Sequence, residues 1–312
     1  MKTICIYHSR DLDGWMSAAI IKKWFLESEE NNPNTLEFLG WDFGDEIPDL
    51  SSYDRVIMVD ISFSKEDMEK IDLQSSNGLT WIDHHLSAIK SNNFISERDG
   101  KSRHVEGLRN TKYAACELTW KYFFPEEKIP EIVRLLGRYD CFGHKGTDEE
   151  QKVLEFQYGA RAIIKNYSDA YIYLCIEYRV GGKYNQEINK SILDKGIAIY
   201  QYLCTESQQT YKKAFPVEFN IGGNPGIEKH KSFLCVNQER FNPINFGIDY
   251  HKEGYDGFAC FWYKDGKWMW SLYNDNGEVD CSAIAKGYDG GGHKGAAGFV
   301  CDTKELLTII NK

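Results

Sequence analysis

Leu79-Thr80-Trp81-Ile82-Asp83-His84-His85 sets an apolar run directly before a carboxylate and two imidazoles, so a buried strand is expected to end in three metal-competent side chains. An open α/β sheet gathers its chemistry at the carboxyl ends of its strands. Two further segments share this layout. His8, Asp11 and Asp13 follow Thr3-Ile4-Cys5-Ile6-Tyr7, and Asp60 follows Val56-Ile57-Met58-Val59. The three strand ends are expected to converge on one acidic pocket.

Working outward, strands are predicted at 3–7, 36–41, 55–59 and 79–82, separated by helical patterns such as 14–26, where Met16, Ile20 and Trp24 recur at i+4. That alternation predicts a parallel sheet covered by helices. From Tyr113 to about Tyr178 the pattern turns mostly helical, with helices at 129–138, 153–164 and 169–178. Gly181-Gly182 interrupts it, and Ile188, Ile192, Ile199 and Leu203 then share one face of a connecting helix. After Pro216 short strands return at 233–236, 257–263 and 268–272, with helices at 279–286 and 304–310. The fold class is therefore α/β. A parallel-sheet domain over residues 1–180 is joined by a helical connector, 181–215, to a smaller mixed α/β domain, 216–312.

The chain has 312 residues, 42% of them hydrophobic and 14% aromatic, enough for two domains with their own cores and incompatible with disorder. No run approaches the roughly 18 to 20 apolar residues of a membrane span. The amino terminus reaches charged residues by Arg10 without a cleavage signal. Nine scattered cysteines form no CxxC pair, which argues against a disulfide framework or a structural zinc site and for a reducing cytoplasm. A net charge of −10 excludes a protein that tracks long duplex nucleic acid through a basic surface. It leaves room for a short nucleotide, because a carboxylate pocket holds divalent cations and these supply the charge a phosphate needs. Homo-oligomer formation stays open.

Each cluster has a plainer reading. His8-Ser9-Arg10-Asp11-Leu12-Asp13-Gly14 is also what a strand-to-helix turn with Asp13 as N-cap looks like, and Asp60 alone resembles a helix cap. Asp140, after Leu135-Leu136-Gly137-Arg138-Tyr139, could be an exposed helix end. Adjacent histidines after a buried strand are harder to set aside, since they point in different directions. Near the carboxyl terminus, Asp289-Gly290-Gly291-Gly292-His293-Lys294-Gly295 is either a flexible turn or a segment whose main-chain N–H groups converge on an anion beside His293. It lacks the spacing of a Walker loop.

In their order along the chain these residues resemble the DHH phosphoesterase superfamily with its DHH-associated carboxyl-terminal domain. The resemblance implies two divalent ions, manganese or magnesium, in the first domain. It implies His8 and Asp11 on one ion, Asp13, His84 and Asp140 on the other, and Asp60 bridging both. Asp83 would orient its neighbours, His85 would face the phosphate, and Gly290, Gly291, Gly292 and His293 would bind substrate, with Asp60, His84 and His85 carrying catalysis. Only Ser9 and Arg10 separate His8 from Asp11, where many members have three residues. Tyr273 stands where several relatives carry an arginine that contacts substrate. The activity implied is a two-metal phosphodiesterase for very short oligoribonucleotides, similar to the nanoRNases, some of which also act on 3′-phosphoadenosine 5′-phosphate. Cyclic-dinucleotide phosphodiesterase, pyrophosphatase or polyphosphatase, and an inactive nucleotide-binding module are the alternatives.

Overall fold

Strand β1 (Thr3–His8) buries Ile4 and Ile6 on one face and Cys5 and Tyr7 on the other, the pattern of a strand covered on both sides. A computed structural model describes residues 1–92, 95–96, 102–179, 183–221, 229–292 and 294–310. After β1 come α1 (Leu12–Glu27), β2 (Leu36–Trp41), β3 (Arg55–Val59), α2 (Lys65–Gln74) and β4 (Leu79–Ile82). The four strands are parallel in the order β2-β1-β3-β4. Ile57, Val59 and Ile82 pack with Ala18 and Ile21 of α1 on one face. Val56, Met58, Leu79 and Trp81 pack with Met68 and Ile71 of α2 on the other. The strands predicted at 36–41, 55–59 and 79–82 are those observed, and β1 runs one residue further, to pair His8 with Trp41.

The sheet is followed by α3 (Leu86–Ser91), the small ladder β5 (Ile95–Ser96) with β6 (Arg103–His104), and the helices α4 (Ala115–Phe123), α5 (Glu131–Asp140), α6 (Glu150–Ile163) and α7 (Tyr167–Glu177). These four helices and α1 enclose a core built on Met16, Ile20, Trp120, Phe156 and Leu174. Helix α5 extends beyond the predicted 138, which makes Asp140 its last residue rather than a residue outside it. A second small ladder, β7 (Tyr178–Arg179) with β8 (Lys183–Tyr184), precedes the long α8 (Gln186–Tyr211). Ile192 of α8 is fully buried in the helical core.

The chain divides into two compact units, Met1–Ile199 and Tyr200–Lys312, with the division inside α8. The second unit contains β9 (Phe215–Ile221), β10 (Lys229–Asn237), β11 (Gly257–Lys264), β12 (Lys267–Tyr273), α9 (Cys281–Lys286), β13 (Gly291–Gly292), β14 (Ala296–Cys301) and α10 (Thr303–Ile310). Its sheet runs β13-β14-β12-β11-β10-β9, with β10 and β11 parallel and the other pairs antiparallel. Phe219, Phe233, Phe261 and Trp270 on one face pack with Ile284 of α9 and Leu306 of α10. This is a mixed α/β unit, as expected.

Three of its strands were not predicted, β9, β13 and β14. Pro216 masks β9, and an edge strand is where proline is tolerated. Ala296-Ala297-Gly298 has poor strand propensity, and β14 is a strand because β12 pairs along its whole length. The glycines expected to line an anion site bond in part to the protein itself. The N–H of Gly290 donates to Ala285 O at 2.9 Å, and Gly291 and Gly292 pair with Gly298 and Ala297 of β14. A segment expected to be a loop of converging N–H groups is a short edge strand, and His293 lies outside the described residues. No helix among the described residues is long and apolar enough to cross a membrane.

Candidate metal centre

Every sequence-predicted residue of the first unit sits at the end of a strand or helix. Asp11 is the N-cap of α1, with extended backbone and a carboxylate that accepts from Gly14 N at 3.0 Å. Asp13 therefore lies in the first turn of α1 and is not the cap. Its two oxygens instead accept from Ala115 N at 2.9 Å and Cys116 N at 2.7 Å, at the start of α4. Asp60 follows β3 with φ of 60°, a left-handed conformation that Asp adopts more readily than most residues. Gly14 is required by close approach, because a Cβ there would meet His8 O at 2.0 Å.

These ends bring the side chains together. His8 Nδ1 lies 2.7 Å from Asp11 Oδ2 and 3.4 Å from Asp60 Oδ2. His84 Nε2 lies 3.4 Å from Asp60 Oδ1, 3.2 Å from Asp140 Oδ2 and 3.6 Å from Asp13 Oδ2. Three triads result, each with ligand atoms within 4.8 Å of one another: His8, Asp11 and Asp60; Asp13, His84 and Asp140; and Asp60, His84 and His85. The donors are carboxylates and imidazoles without a thiolate, a set suited to manganese or magnesium. Asp60 Oδ1 and His84 Nε2 are both buried and make no well-formed hydrogen bond. Buried polar atoms rarely go unsatisfied, and a cation between them would satisfy both.

The electrostatics tell the same story. Burial alone would lower the histidine pKa values, but hydrogen bonding and charge from Asp11 and Asp60 hold His8 up at about 11. Asp60, Asp13 and Asp140 outweigh burial in the same way and hold His84 at about 10. Burial, then the charge of Asp60, pushes Asp13 up to about 7 against the pull of His84. Burial and the charge of Asp13 push Asp140 to about 7. Asp60 is also raised, by burial and then by Asp11. Carboxylates this crowded cannot all ionise unless cations join them.

Asp83 holds the histidines in place. It is fully buried, and its Oδ1 accepts from His84 N at 2.7 Å and His85 N at 3.1 Å and lies 2.8 Å from His85 Nδ1. Two features escaped the sequence reading. Asp42, directly after β2, lies 3.6 Å from His8 Nε2 and binds Arg10 Nε at 2.5 Å. A carboxylate following Trp41 was the signal, the same one that marked Asp60. Arg138 Nη2 donates to both oxygens of buried Glu117 at 2.8 Å, a pairing 21 residues apart that sequence patterns do not carry.

Residues 3–136 match the DHH family, N-terminal domain. Over 312 residues the chain is 24% identical to an uncharacterised protein of Acanthamoeba polyphaga mimivirus, taking in 95% of this chain and 66% of that protein. It thus spans slightly less than two thirds of that relative. Among solved structures, the DHH domain of a member of the s1p family of ribosomal proteins shares the fold, with 15% identity, a TM-score of 0.50 and coverage of 98% of this chain and 85% of that one. A pGpG-specific phosphodiesterase from Vibrio cholerae is similar at 10% identity, a TM-score of 0.44 and coverage of 99% and 96%. An exopolyphosphatase-related protein from Bacteroides fragilis is similar at 13% identity, a TM-score of 0.48 and coverage of 99% and 90%.

Two predictions follow from this packing. Gly14→Ala should displace His8 and weaken manganese binding at least tenfold by calorimetry; unchanged affinity would show that the turn yields without moving the ligands. The second concerns pH. In metal-free protein, the raised His8 and His84 pKa values contribute stability that is complete below about 6.5 and is lost as pH rises towards 10 to 11. The raised Asp13 and Asp140 contribute stability that is complete below about 3.8 and lost as pH rises through 7. Bound manganese competes with these protons, so the difference in Tm between manganese-loaded and chelated protein should widen from pH 6 to pH 9. A difference independent of pH would place the ion elsewhere.

Proposed function

We propose that this protein is a two-metal phosphodiesterase that hydrolyses very short oligoribonucleotides, with 3′-phosphoadenosine 5′-phosphate as a further substrate. One observation carries the reading: the two oxygens of Asp60 face different triads, Oδ2 towards His8 and Oδ1 towards His84, each at 3.4 Å. A carboxylate so placed is suited to bridge two cations. His8, Asp11 and Asp60 would hold one ion, and Asp13, His84, Asp140 and Asp60 the other. Bound divalent ions would supply the Lewis acidity that activates water and neutralises the charge building on phosphorus.

The remaining residues orient and exclude. Asp13 is fixed by two N–H groups of α4, so its carboxylate cannot turn away from His84. Asp83 engages His85 through Nδ1, which fixes the orientation of the ring. Burial opposes protonation of His85, but Asp83 and Asp60 raise its pKa, and a protonated imidazole is suited to donate to a phosphate oxygen. A net charge of −10 and the carboxylate-lined site support a short substrate over long duplex nucleic acid. Cytoplasmic placement is part of the proposal, supported by nine free thiols.

One panel tests it. With manganese, dinucleotide RNA should be cleaved with higher kcat/KM than cyclic di-AMP, cyclic di-GMP or pyrophosphate, and chelator should abolish turnover. Faster turnover of a cyclic dinucleotide or of pyrophosphate would reassign the substrate, and full activity in chelator would remove the metal mechanism. By elemental analysis Asp60→Ala should lose both equivalents of metal and Asp140→Ala about one. Greater retention in the Asp60 variant would refute the bridging role.

A further inference from the structure

Phenylalanine belongs in the interior, yet among the described residues two of the chain's 17 are more than half exposed, Phe43 at 66% and Phe142 at 61%. Both adjoin the candidate metal centre. Phe43 follows Asp42, and its ring centroid lies 6.4 Å from that of His8. Phe142 stands two residues after Asp140, so their Cα atoms are at most about 7.6 Å apart. The Phe43 ring thus flanks the His8 triad, and Phe142 follows closely on the Asp140 triad along the chain.

A single exposed apolar residue means little on most surfaces. Phe142, however, also has φ of 56°, a conformation that is an outlier for a bulky side chain and that glycine would adopt without strain. The left-handed turn terminates α5, with Phe142 N donating to Tyr139 O at 3.2 Å, but glycine would serve there without setting a ring in solvent. Lys145 Nζ lies 4.8 Å from the centroid of the Phe142 ring, placing a cation beside it. Phe43 is propped by Trp41, edge-on at 5.7 Å, which steadies the ring while leaving most of it in solvent.

We propose that Phe43 and Phe142 are base-stacking residues on opposite flanks of the metal centre, selecting a substrate with a nucleobase on each side of the scissile phosphate. The inference rests on the phosphodiesterase reading above and narrows its substrate to a linear dinucleotide unit. Every base offers a π-face, so such stacking adds affinity with little base preference. Inorganic phosphates have nothing to place on either ring.

The test compares a diadenosine ribodinucleotide with the same dinucleotide lacking both bases, in wild type, Phe43→Ala and Phe142→Gly, all loaded with manganese. Phe142→Gly retains the backbone conformation, and metal content checks that the site is intact. The ratio of kcat/KM for base-bearing over base-free substrate should fall about tenfold in each variant. In parallel, the fluorescence of a dinucleotide carrying 2-aminopurine should be quenched on binding to wild type, and less so in each variant. Ratios and quenching equal to wild type in both variants would overturn the proposal. Because quenching needs no turnover, the two readings can fail separately. Wild-type protein that quenches the fluorophore but cleaves nothing refutes the hydrolase and supports the stacking residues.

Discussion

Four carboxylates, Asp11, Asp13, Asp60 and Asp140, meet at one end of a parallel sheet, and their mutual repulsion is the constraint on which the rest depends. Like charges in a poorly solvated site must be protonated, paired or bridged by cations. The raised values of Asp13 and Asp140 and the high values of His8 and His84 are the protonated solution. Two neighbouring cations cannot help, since Arg138 is committed to Glu117 and Arg10 to Asp42. The fold therefore keeps a deficit of positive charge that divalent ions are suited to fill.

Keeping that deficit requires side chains that cannot relax away from one another. Asp13 is held by the amides of α4, about a hundred residues downstream in the chain. His84 and His85 are held by Asp83, and Asp60 by a left-handed turn at the end of β3. Strain of this kind costs roughly 1–3 kcal/mol and persists where the surroundings over-determine it. Here the surroundings are β4, which accepts Asp60 N at Ile82 O at 3.0 Å, and the imidazoles on either side.

The strands of the first unit were legible because a strand buried on both faces reads as a short continuous apolar run, and Arg55–Val59 and Leu79–Ile82 are such runs. The site was legible as residue types at strand ends. Asp42 was passed over although it meets the same criterion, a carboxylate directly after a strand. The plainer reading put the cap of α1 at Asp13 where the structure has Asp11, since either aspartate precedes a helical pattern and only backbone geometry separates them. The tie from Asp13 to α4 and the Glu117–Arg138 pair are tertiary, and local pattern holds no trace of them. In the second unit, β14 was hidden because pairing with β12, not propensity, makes it a strand.

Topology explains why the carboxylates gather at this point and nowhere else along the sheet. In the order β2-β1-β3-β4, the chain leaves β1 towards one side to form β2 and returns on the other to form β3. The connections that leave the carboxyl ends of β1 and β3 run to opposite faces of the sheet, into α1 on one and α2 on the other, so a crevice opens between the carboxyl ends of these two strands. His8 closes β1 and Asp60 follows β3, and they face each other across that crevice at 3.4 Å. Residues after β4 reach it from the side, which is why His84 meets the oxygen of Asp60 that His8 does not. The division of Asp60 between two triads is thus a consequence of strand order. Any sequence threading this sheet with acids at those two ends would meet the same repulsion, and the imidazoles, the caps and the buried Asp83 are this chain's means of containing it.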